Sequence, residues 1–288
     1  RKSYPIKKYI QFVSEKMNDA TVLHIHEFEL LTLAKKMKKK VSVKVVYDVH
    51  ENLRDMRDTF SSKKGLIKKI INKSLSFFEL SHLMYVDEVI LANIVFGENY
   101  YKKKGLKTTV VENFPPIEKI SEPSLISGPN LILYQGQVSF ERGVDVLIDA
   151  FKLVLDVNAN VRLRIIGPPQ PEGFLLQIKN KIEEMKLSEF VNIINVVPHD
   201  VIWEEMSNAN IGVIPFLDTS LVKTNTPTKL FEYMAAGCAV VASDVPPIRH
   251  FLKNIGELVE PGSDQSLADG IIKVIGDETL FNKYISEG

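Results

Sequence analysis

The stretch LILYQGQVSFERGVDVLIDAFKLVLDVNANVRLRII, residues 131–166, decides the fold class of this chain. It holds a short apolar run at 131–135, a helix-length segment with 3.6-residue periodicity at 143–156, and a second apolar run at 162–166. Strands rich in Val and Ile that are joined by helices are typical of parallel sheets built from βαβ units. The stretch therefore predicts an α/β fold with a parallel sheet flanked by helices.

The same alternation of strands and helices extends over the rest of the chain. The remaining predicted strands are 22–26, 43–48, 88–92, 109–112, 191–194, 211–215, 239–243 and 257–259. The remaining predicted helices are 28–40, 63–84, 172–185 and 227–236. Residues 113–130 interrupt the alternation with four prolines and Gly128, which is the composition of a linker.

These patterns predict two Rossmann-like domains, residues 1–118 and 131–288, with a linker at 119–130. The first domain has only four predicted strands and opens on an amphipathic helix, whereas an open α/β sheet usually begins with a buried strand. We therefore expect an incomplete N-terminal domain. Ligands of such sheets bind outside the carboxyl ends of the strands, so the candidate residues are sought there.

Composition excludes several classes of protein. With 45% hydrophobic and 25% charged residues, the chain matches neither a disordered nor a fibrous protein. Its single cysteine, Cys238, excludes an intrachain disulfide framework and a cysteine-rich zinc site. No apolar run approaches the roughly 18 residues of a membrane span, and no signal-peptide core follows the basic first residues. We expect a soluble cytoplasmic protein.

Charge is distributed unevenly along the chain. Residues 1–118 hold 22 lysines and arginines against 14 aspartates and glutamates, and the remainder holds the reverse. A basic half attracts anionic lipid, nucleic acid or phosphorylated substrates, and the alternative is a solvated basic face.

The start of the predicted helix 227–236 is a candidate anion site. Thr226 is the predicted N-cap, Pro227 the first helical residue and Gly237 the C-cap. The free backbone N–H groups and the positive end of the helix dipole at Thr228 and Lys229 attract an anion, and Lys229 adds a full charge.

Glu232 lies about one turn beyond Lys229, on a similar face of the helix. A carboxylate at this place can accept two hydrogen bonds from vicinal hydroxyls, as acidic residues do on ribose in dinucleotide sites. The alternative is a capped amphipathic helix on which Glu232 is solvated.

A second candidate is the turn that follows the predicted strand 131–135. Gly136 allows the backbone to approach a ligand, and Arg142 can reach a phosphate with both of its terminal nitrogens. The alternative for Arg142 is a surface salt bridge with Glu141 or Asp145. The spacing is neither that of a three-glycine dinucleotide fingerprint nor that of a P-loop, which disfavours hydride transfer and P-loop chemistry.

The first domain supplies a third candidate. His50 follows the predicted strand 43–48 and is placed for acid/base work or for a hydrogen bond to a reacting group, with Glu51 beside it. His24 and His26 share one face of a strand, which raises the question of zinc. Because the spacing is that of a strand and the chain has no HExxH helix, the sequence favours no metal site.

The remaining histidines and large aromatic residues are weaker candidates. His199 is placed in a loop after a strand, where backbone groups can read the edge of a base. His82 and His250 are predicted to be structural, and Trp203 and Tyr233 to belong to the core or to the wall of a cleft.

Four motifs in a fixed order resemble the nucleotide-sugar-binding half of a retaining glycosyltransferase of family 4, which has the two-domain GT-B fold. They are YQGx5RGVDxLIxAF at 134–151, LRIIGP at 163–168, ANIGVIP at 209–215 and PTKLFEYMAAGCAVVASD at 227–244. The first domain is similar to the acceptor half of such enzymes through VLHIH at 22–26 and VYDVHE at 46–51.

The resemblance implies a role for each candidate. Glu232 would bind the ribose of a nucleoside diphosphate sugar, and Arg142 would hold the diphosphate together with Lys229. The loop 197–199 would pack on the base, and His50 would contact the donor sugar near the reacting carbon. The donor-binding residues expected are Gly136, Arg142, Val197, His199, Thr228, Lys229 and Glu232. The enzymes of this family need no metal and no cofactor, and a UDP-sugar is the first donor to consider.

Two positions depart from the family pattern. Thr224 stands where the family often has a glutamate that contacts hydroxyls of the donor sugar, and Gln137 stands where many members have an arginine. Thr224, Gln137 and Glu51 are therefore candidates of second rank. Relatives begin the first domain with a strand and a glycine-rich turn, and from the resemblance we expect this part to be missing here.

The resemblance also bears on the basic half. Bacterial enzymes of this type often modify lipid-linked acceptors at the cytoplasmic face of the membrane. The segment 63–73 combines lysines with apolar residues and predicts a helix that lies on anionic lipid. Its lysines are Lys63, Lys64, Lys68, Lys69 and Lys73. Nucleic acid is not an expected partner, because no recognisable binding module accompanies the basic surface.

These observations predict a metal-independent retaining glycosyltransferase that makes a surface polysaccharide or a glycolipid, in the cytoplasm or at the inner face of the membrane. One alternative is a nucleotide-sugar epimerase or a phosphorylase on the same fold. Another is a non-catalytic nucleotide-sugar-binding partner of a second transferase, which Thr224, Gln137 and the missing start support.

Overall fold

The computed structural model describes residues 6–16, 20–40, 42–50, 65–92, 98–120, 130–220, 222–223 and 225–288. The chain divides into two compact units, Arg1–Glu112 (unit 1) and Asn113–Gly288 (unit 2). Each unit contains a parallel sheet and helices, as the sequence predicts. The predicted linker 119–130 is described only at residues 119, 120 and 130, and the predicted domain limits stay a prediction.

Unit 1 contains a four-stranded parallel sheet in which the strands follow one another in chain order. The strands are β1 (Val22–Ile25), β2 (Lys44–Val49), β3 (Glu88–Leu91) and β4 (Lys107–Val110). The helices are α1 (Ile6–Lys16), α2 (Leu31–Lys38, after a 3₁₀ turn at Phe28–Leu30), α3 (Gly65–Leu83) and α4 (Glu98–Lys102).

The core of unit 1 lies where α2 packs on the sheet. Leu31, Ala34 and Met37 recur at helical spacing and are buried against Val45 and Tyr47 of β2. By contrast, α3 has a single fully buried residue, Leu83, among the side chains that the structure describes.

Unit 2 contains a six-stranded parallel sheet with the strand order β10-β9-β8-β5-β6-β7. The strands are β5 (Asn130–Gln135), β6 (Val161–Ile166), β7 (Val191–Ile194), β8 (Ile211–Ile214), β9 (Ala239–Ser243) and β10 (Glu257–Val259). The helices are α5 (Val144–Val157), α6 (Glu172–Glu184), α7 (His199–Ser207), α8 (Thr228–Ala235), α9 (Pro246–Leu252), α10 (Asp264–Gly276) and α11 (Glu278–Glu287). Short 3₁₀ turns lie at Ile117–Lys119 and Phe140–Arg142.

Helices cover both faces of this sheet. One core cluster holds the buried side chains of α5, α6 and α10, and a second holds those of α7, α8 and α9. This is why β8 and β9 are apolar at nearly every position instead of alternating with polar residues. All strands are parallel, but the strand order reverses at β5: β6 and β7 extend the sheet on one side, and β8, β9 and β10 extend it on the other. Sheets of this kind bind ligands in a crevice at the carboxyl ends of the strands beside such a reversal.

The observed elements match the predicted ones closely, and three strands, at 191–194, 239–243 and 257–259, have the predicted limits. Among the described helices, none has both the length and the apolar character that crossing a bilayer requires.

Candidate functional site

The crevice of unit 2 is bordered by the residues that follow β5 and β8 and by the start of α8. Gln135 ends β5, Gly136 follows it, and Phe216 comes shortly after β8. Because these segments meet where the strand order reverses, this is the place at which a parallel sheet of this kind binds its ligands.

Helix α8 begins one residue later than the sequence predicts. Pro227 is the N-cap, with φ −73° and ψ 125°, so Thr226 is not the N-cap and Pro227 is not the first helical residue. Proline fixes φ but leaves ψ free to be extended, and an extended N-cap residue is what precedes a helix. No side chain caps the helix. The sequence predicts Gly237 as the C-cap, but the C-cap is Ala236. Gly237 is the next residue, has φ 80°, and donates its N–H to the Met234 carbonyl.

Lys229 lies in the second position of α8 and points back to the end of β5. Its Nζ donates a hydrogen bond of 2.5 Å to the carbonyl of Gln135 and lies 4.5 Å from the centre of the Tyr134 ring. Gly136 has φ +125°, and a Cβ at this position would overlap Nζ of Lys229. The glycine therefore gives room to the ammonium group.

Burial controls the charge of Lys229. Loss of water around the ammonium group, with the positive charge of Arg142 nearby, lowers the pKa of Lys229 to about 7, although Glu232 opposes this shift. A buried ammonium group near another cation is stabilised by an anion placed between them. The site is therefore suited to hold a negatively charged group.

Arg142 shares an aromatic surface with Lys229. Its guanidinium carbon lies 4.8 Å from the centre of the Phe216 ring, and Nζ of Lys229 lies 5.5 Å from the same centre. Within the described part of the chain, Arg142 has no hydrogen bond and no ion pair, so the alternative of a surface salt bridge with Glu141 or Asp145 is wrong for this structure. Its hydrogen-bond donors remain available to a ligand.

Glu232 is held in place instead of being solvated. Its side chain is 18% exposed, and its Oε2 accepts a hydrogen bond of 2.7 Å from Nε2 of Gln135. Its Oε1 lies 3.7 Å from Nε2 of His199. Gln135 thus contacts both the carboxylate of Glu232 and, through its carbonyl, the ammonium group of Lys229.

Tyr233 fixes α8 against the sheet. Its hydroxyl accepts a hydrogen bond of 2.8 Å from the backbone N–H of Gln135 and donates to the Leu133 carbonyl at 3.2 Å. The ring lies so close to Gly212 of β8 that a Cβ there would overlap it. Tyr233 and Trp203 are both buried, which confirms that they belong to the core.

The sequence predicts that His199 lies in a loop. In the structure it is instead the first residue of α7. Pro198 before it is extended, and Asp200 places a negative charge in the first turn, where the helix dipole favours it. Val197 remains in the loop and packs partly against the core cluster of α7, α8 and α9.

Of the three candidates of second rank, the structure describes only Gln137. The side-chain amide of Gln137 donates to the side-chain carbonyl of Gln170. Thr224 and Glu51 lie outside the described residues. Next to Thr224, Oδ1 of Asn225 is buried and has no hydrogen-bond partner among the described residues.

In unit 1, His50 follows β2 and belongs to a cluster with His24, His26 and Asp48. The Asp48 carboxylate is largely buried, and the three imidazole groups are roughly half exposed. The role expected for His50 at a donor sugar stays a prediction.

Sequence reasoning missed four residues of the unit 2 site: Tyr134, Gln135, Phe216 and Asn225. Tyr134 and Gln135 are the last residues of β5, and Phe216 closely follows β8. For these three residues, the position at the carboxyl ends of central strands is the signal that could have found them.

Comparison with protein families identifies the group 1 glycosyl transferases, whose profile matches residues 116–288. Among similar sequences, a phosphatidyl-myo-inositol mannosyltransferase of Mycobacterium leprae is 28% identical over 174 residues, which are 58% of this chain and 44% of the relative. An exopolysaccharide phosphotransferase of Streptomyces coelicolor is 30% identical over 186 residues, which are 62% of this chain and 18% of the relative. The chain thus spans less than half the length of both curated relatives.

Solved structures share the fold. The Anabaena protein Alr3699/HepE, in complex with UDP, superposes with a TM-score of 0.79 at 17% identity, over 97% of this chain and 75% of that one. Sucrose-phosphate synthase of Thermosynechococcus elongatus superposes with a TM-score of 0.75 at 17% identity, over 97% of this chain and 72% of that one.

Proposed function

This chain belongs to the group 1 glycosyltransferases, and from this premise we propose that it transfers a sugar from a nucleoside diphosphate sugar to a glycan or lipid-linked acceptor, with retention of the anomeric configuration. The observation that carries the proposal is the arrangement on α8. Lys229 and Glu232 lie one turn apart, and both contact Gln135 at the end of β5. An anion-binding group and a hydroxyl-binding group thus lie side by side, as a ribose diphosphate requires.

The diphosphate would bind between Arg142 and Lys229. Both cations lie over the ring of Phe216, and the uncapped start of α8 adds backbone N–H groups near Thr228. A bound phosphate favours the charged form of Lys229, whose pKa is lowered to about 7 mainly by burial. The cations are therefore placed in advance for the anion.

The ribose would bind at Glu232, and the base near Val197 and His199. The 2.7 Å hydrogen bond from Gln135 leaves lone pairs of Glu232 for the hydroxyls of a ribose. His199 lies on the Oε1 side of this carboxylate. A uridine nucleotide is the first donor to test, and Asn225 would accept a hydrogen bond from a hydroxyl of the donor.

The chemistry of transfer breaks the bond between the anomeric carbon and the oxygen of the terminal phosphate, and the electron pair leaves with the diphosphate. The acceptor hydroxyl forms the new bond to the anomeric carbon, and its proton passes to an oxygen of the departing phosphate. Negative charge develops on the leaving phosphate, where Arg142, Lys229 and the start of α8 stabilise it. The stabilisation is supplied by fixed protein charges, so we expect transfer without a metal ion at this site.

The test is calorimetric titration of the full chain with UDP, GDP, ADP and TDP, with and without EDTA. We expect one diphosphate to bind selectively and to keep its affinity in EDTA. Glu232→Gln should weaken binding by at least about tenfold, because a charged hydrogen bond contributes about 1.5–3 kcal/mol. Glu184→Gln, at an exposed position of α6, is the matched control and should not change it.

No binding of any diphosphate by the folded chain would overturn the donor site. Binding with neither sugar transfer to any acceptor nor hydrolysis of the nucleotide sugar would instead favour a non-catalytic partner of another transferase. An altered sugar on an intact nucleotide would favour an epimerase.

The exposed face of α3 supports contact with a membrane that carries the acceptor. Leu66, Ile70 and Phe77 are more than half exposed and follow helical spacing, and Lys69 and Lys73 lie beside them. Lysines next to an apolar stripe match an anionic lipid surface. The predicted lysines at 63 and 64 lie outside the described residues.

Vesicle sedimentation tests this contact. Vesicles with phosphatidylglycerol should bind the chain, and neutral phosphatidylcholine vesicles should bind it less. The double variant Lys69→Gln, Lys73→Gln should lose about 1 kcal/mol per lysine, while Lys179→Gln on α6 should not alter binding. Equal binding to both kinds of vesicle would contradict the proposed contact.

A further inference from the structure

Three imidazole groups surround one carboxylate at the carboxyl edge of the sheet in unit 1. Oδ2 of Asp48 lies 3.1 Å from Nε2 of His24 and 3.4 Å from Nδ1 of His26. Oδ1 of the same carboxylate lies 3.4 Å from Nε2 of His50. Nδ1 of His26 and Nε2 of His50 are 3.2 Å apart.

The pairing of β1 with β2 brings these groups together. His24 is aligned with Val46 and Ile25 with Tyr47, so the next positions along, His26 and Asp48, are neighbours. Side chains two residues apart on a strand share a face, which places His24 with His26 and Asp48 with His50. The cluster therefore lies at the carboxyl ends of two adjacent strands, with His26 and His50 one residue beyond β1 and β2.

The cluster directs several lone pairs toward one carboxylate. The two imidazole nitrogens 3.2 Å apart can share only one hydrogen bond, in which one nitrogen donates and the other accepts. A divalent cation can instead accept lone pairs from several neutral imidazoles and balance the charge of the carboxylate.

We propose that His24, His26 and Asp48 bind a divalent transition-metal ion, with zinc as the first candidate. One ligand atom from each residue lies within 4.8 Å of the other two. In a tetrahedral zinc site with bonds of about 2.0–2.1 Å, neighbouring ligand atoms are about 3.3 Å apart. The two distances from Asp48, 3.1 and 3.4 Å, are of this size.

The chemistry of the ligands decides the class of ion. Two imidazole nitrogens and one carboxylate oxygen suit zinc and its neighbours in the first transition series better than calcium or magnesium, which prefer oxygen alone. His50 is placed to give a fourth ligand or to leave this position to water. The sequence favours no metal here because the His24–His26 spacing alone does not reveal Asp48.

The residues of this site all belong to unit 1, whereas the cations proposed to hold the diphosphate belong to unit 2, where the proposed transfer needs no metal. The expected function of the ion is to join the ends of β1 and β2. Metal binding should therefore be measurable without any nucleotide, and its failure would not affect the proposed transfer.

The experiment is calorimetric titration of the untagged, EDTA-washed full chain with zinc chloride, followed by thermal unfolding with and without zinc. We expect one zinc ion per chain and a melting temperature that rises with zinc concentration. His24→Asn and His26→Asn are exposed changes that should each weaken binding by at least about tenfold, as the loss of even an outer-shell partner does. His250→Asn, an exposed histidine in unit 2, is the matched control and should bind zinc as the unaltered chain does.

A second variant distinguishes the loss of a metal ligand from the loss of the fold. Asp48→Asn keeps the shape of a mostly buried side chain and should weaken zinc binding while circular dichroism stays unchanged. Cobalt should give the visible absorption of a tetrahedral site in the unaltered chain and lose it in Asp48→Asn. No zinc binding by the folded chain, or equal binding by the His24→Asn, His26→Asn double variant, would overturn the proposal and leave a hydrogen-bonded cluster.

Discussion

Helices α5 of unit 2 and α3 of unit 1 are both rich in large apolar residues, but they use them differently. In α5, Leu147, Ile148 and Phe151 are fully buried against the sheet. In α3, Leu66 is 73% exposed and Phe77 is 74% exposed. Apolar residues at helical spacing therefore do not by themselves show that a helix face belongs to the core.

The candidate polar groups of the two units also differ in how far they are buried. In unit 2, Lys229 and Glu232 are tied to Gln135 and partly buried, so their charges act in a medium of low dielectric constant. In unit 1, the imidazoles around Asp48 face solvent. The partly buried charges of unit 2 suit the binding and stabilisation of a leaving group. The solvent-facing imidazoles of unit 1 suit the binding of an ion from solution.

The largest expected effect tests the burial of the two helices. Phe151→Ala should lower the free energy of unfolding of unit 2 by about 3–5 kcal/mol, because it leaves a cavity in a packed core. Phe77→Ala should change the free energy of unfolding by no more than about 0.5 kcal/mol, because the side chain is mostly exposed. Denaturant unfolding of both variants measures the difference, and similar losses in the two would contradict the contrast between the helices.

A smaller effect tests how α8 is fixed to the sheet. Tyr233→Phe removes the acceptor of the Gln135 N–H and should lower the free energy of unfolding by about 1–3 kcal/mol. Tyr85→Phe in unit 1 is the matched control, since the hydroxyl of Tyr85 has no hydrogen-bond partner in the described part of the chain. If both changes leave the denaturation midpoint unaltered, the Tyr233 hydroxyl does not stabilise the site.

The smallest effect concerns the charge of Lys229. Because the pKa of Lys229 is lowered to about 7, the free chain loses this positive charge as the pH rises through 7, well below the ordinary value of 10.5. Diphosphate affinity should therefore fall between pH 7 and 9, by at most about tenfold per pH unit. Calorimetric titration over this range measures the slope.

Lys229→Arg is the control for the pH dependence. Arginine stays protonated throughout this range, so the slope should flatten in the variant. A slope that persists in Lys229→Arg would show that another group titrates.

Much of the fold could be predicted from sequence because strands and helices follow local periodicity. Pairing between strands could not, because it depends on which segments meet in the folded chain. The neighbourhood of Asp48 and His26 requires the alignment of β1 with β2, so the sequence showed two histidines on one strand and not their carboxylate.

The residues of the candidate site also fall into those that local sequence features predict and those that depend on contacts between distant segments. Lys229 and Glu232 were found because the start of a helix and one turn along it are local features. Phe216 and Gln135 were missed because their contacts come from segments far apart in the chain. Thr226 and His199 were assigned wrongly because a proline allows a helix to begin before or after it, and the sequence does not fix its ψ.

The order of strands also bears on how the molecule assembles. In unit 1 every strand pairs with the strand made just before it, so its sheet can grow in step with synthesis. In unit 2, β5 pairs with β8, which lies much later in the chain, so that Ile132 is aligned with Ile211. The long chain segment between the two strands must close before this contact forms. Lys229 and Glu232 follow β8 in the chain, so we expect them to reach Gln135 only after β8 has paired, and nucleotide binding to report the slowest folding phase of unit 2.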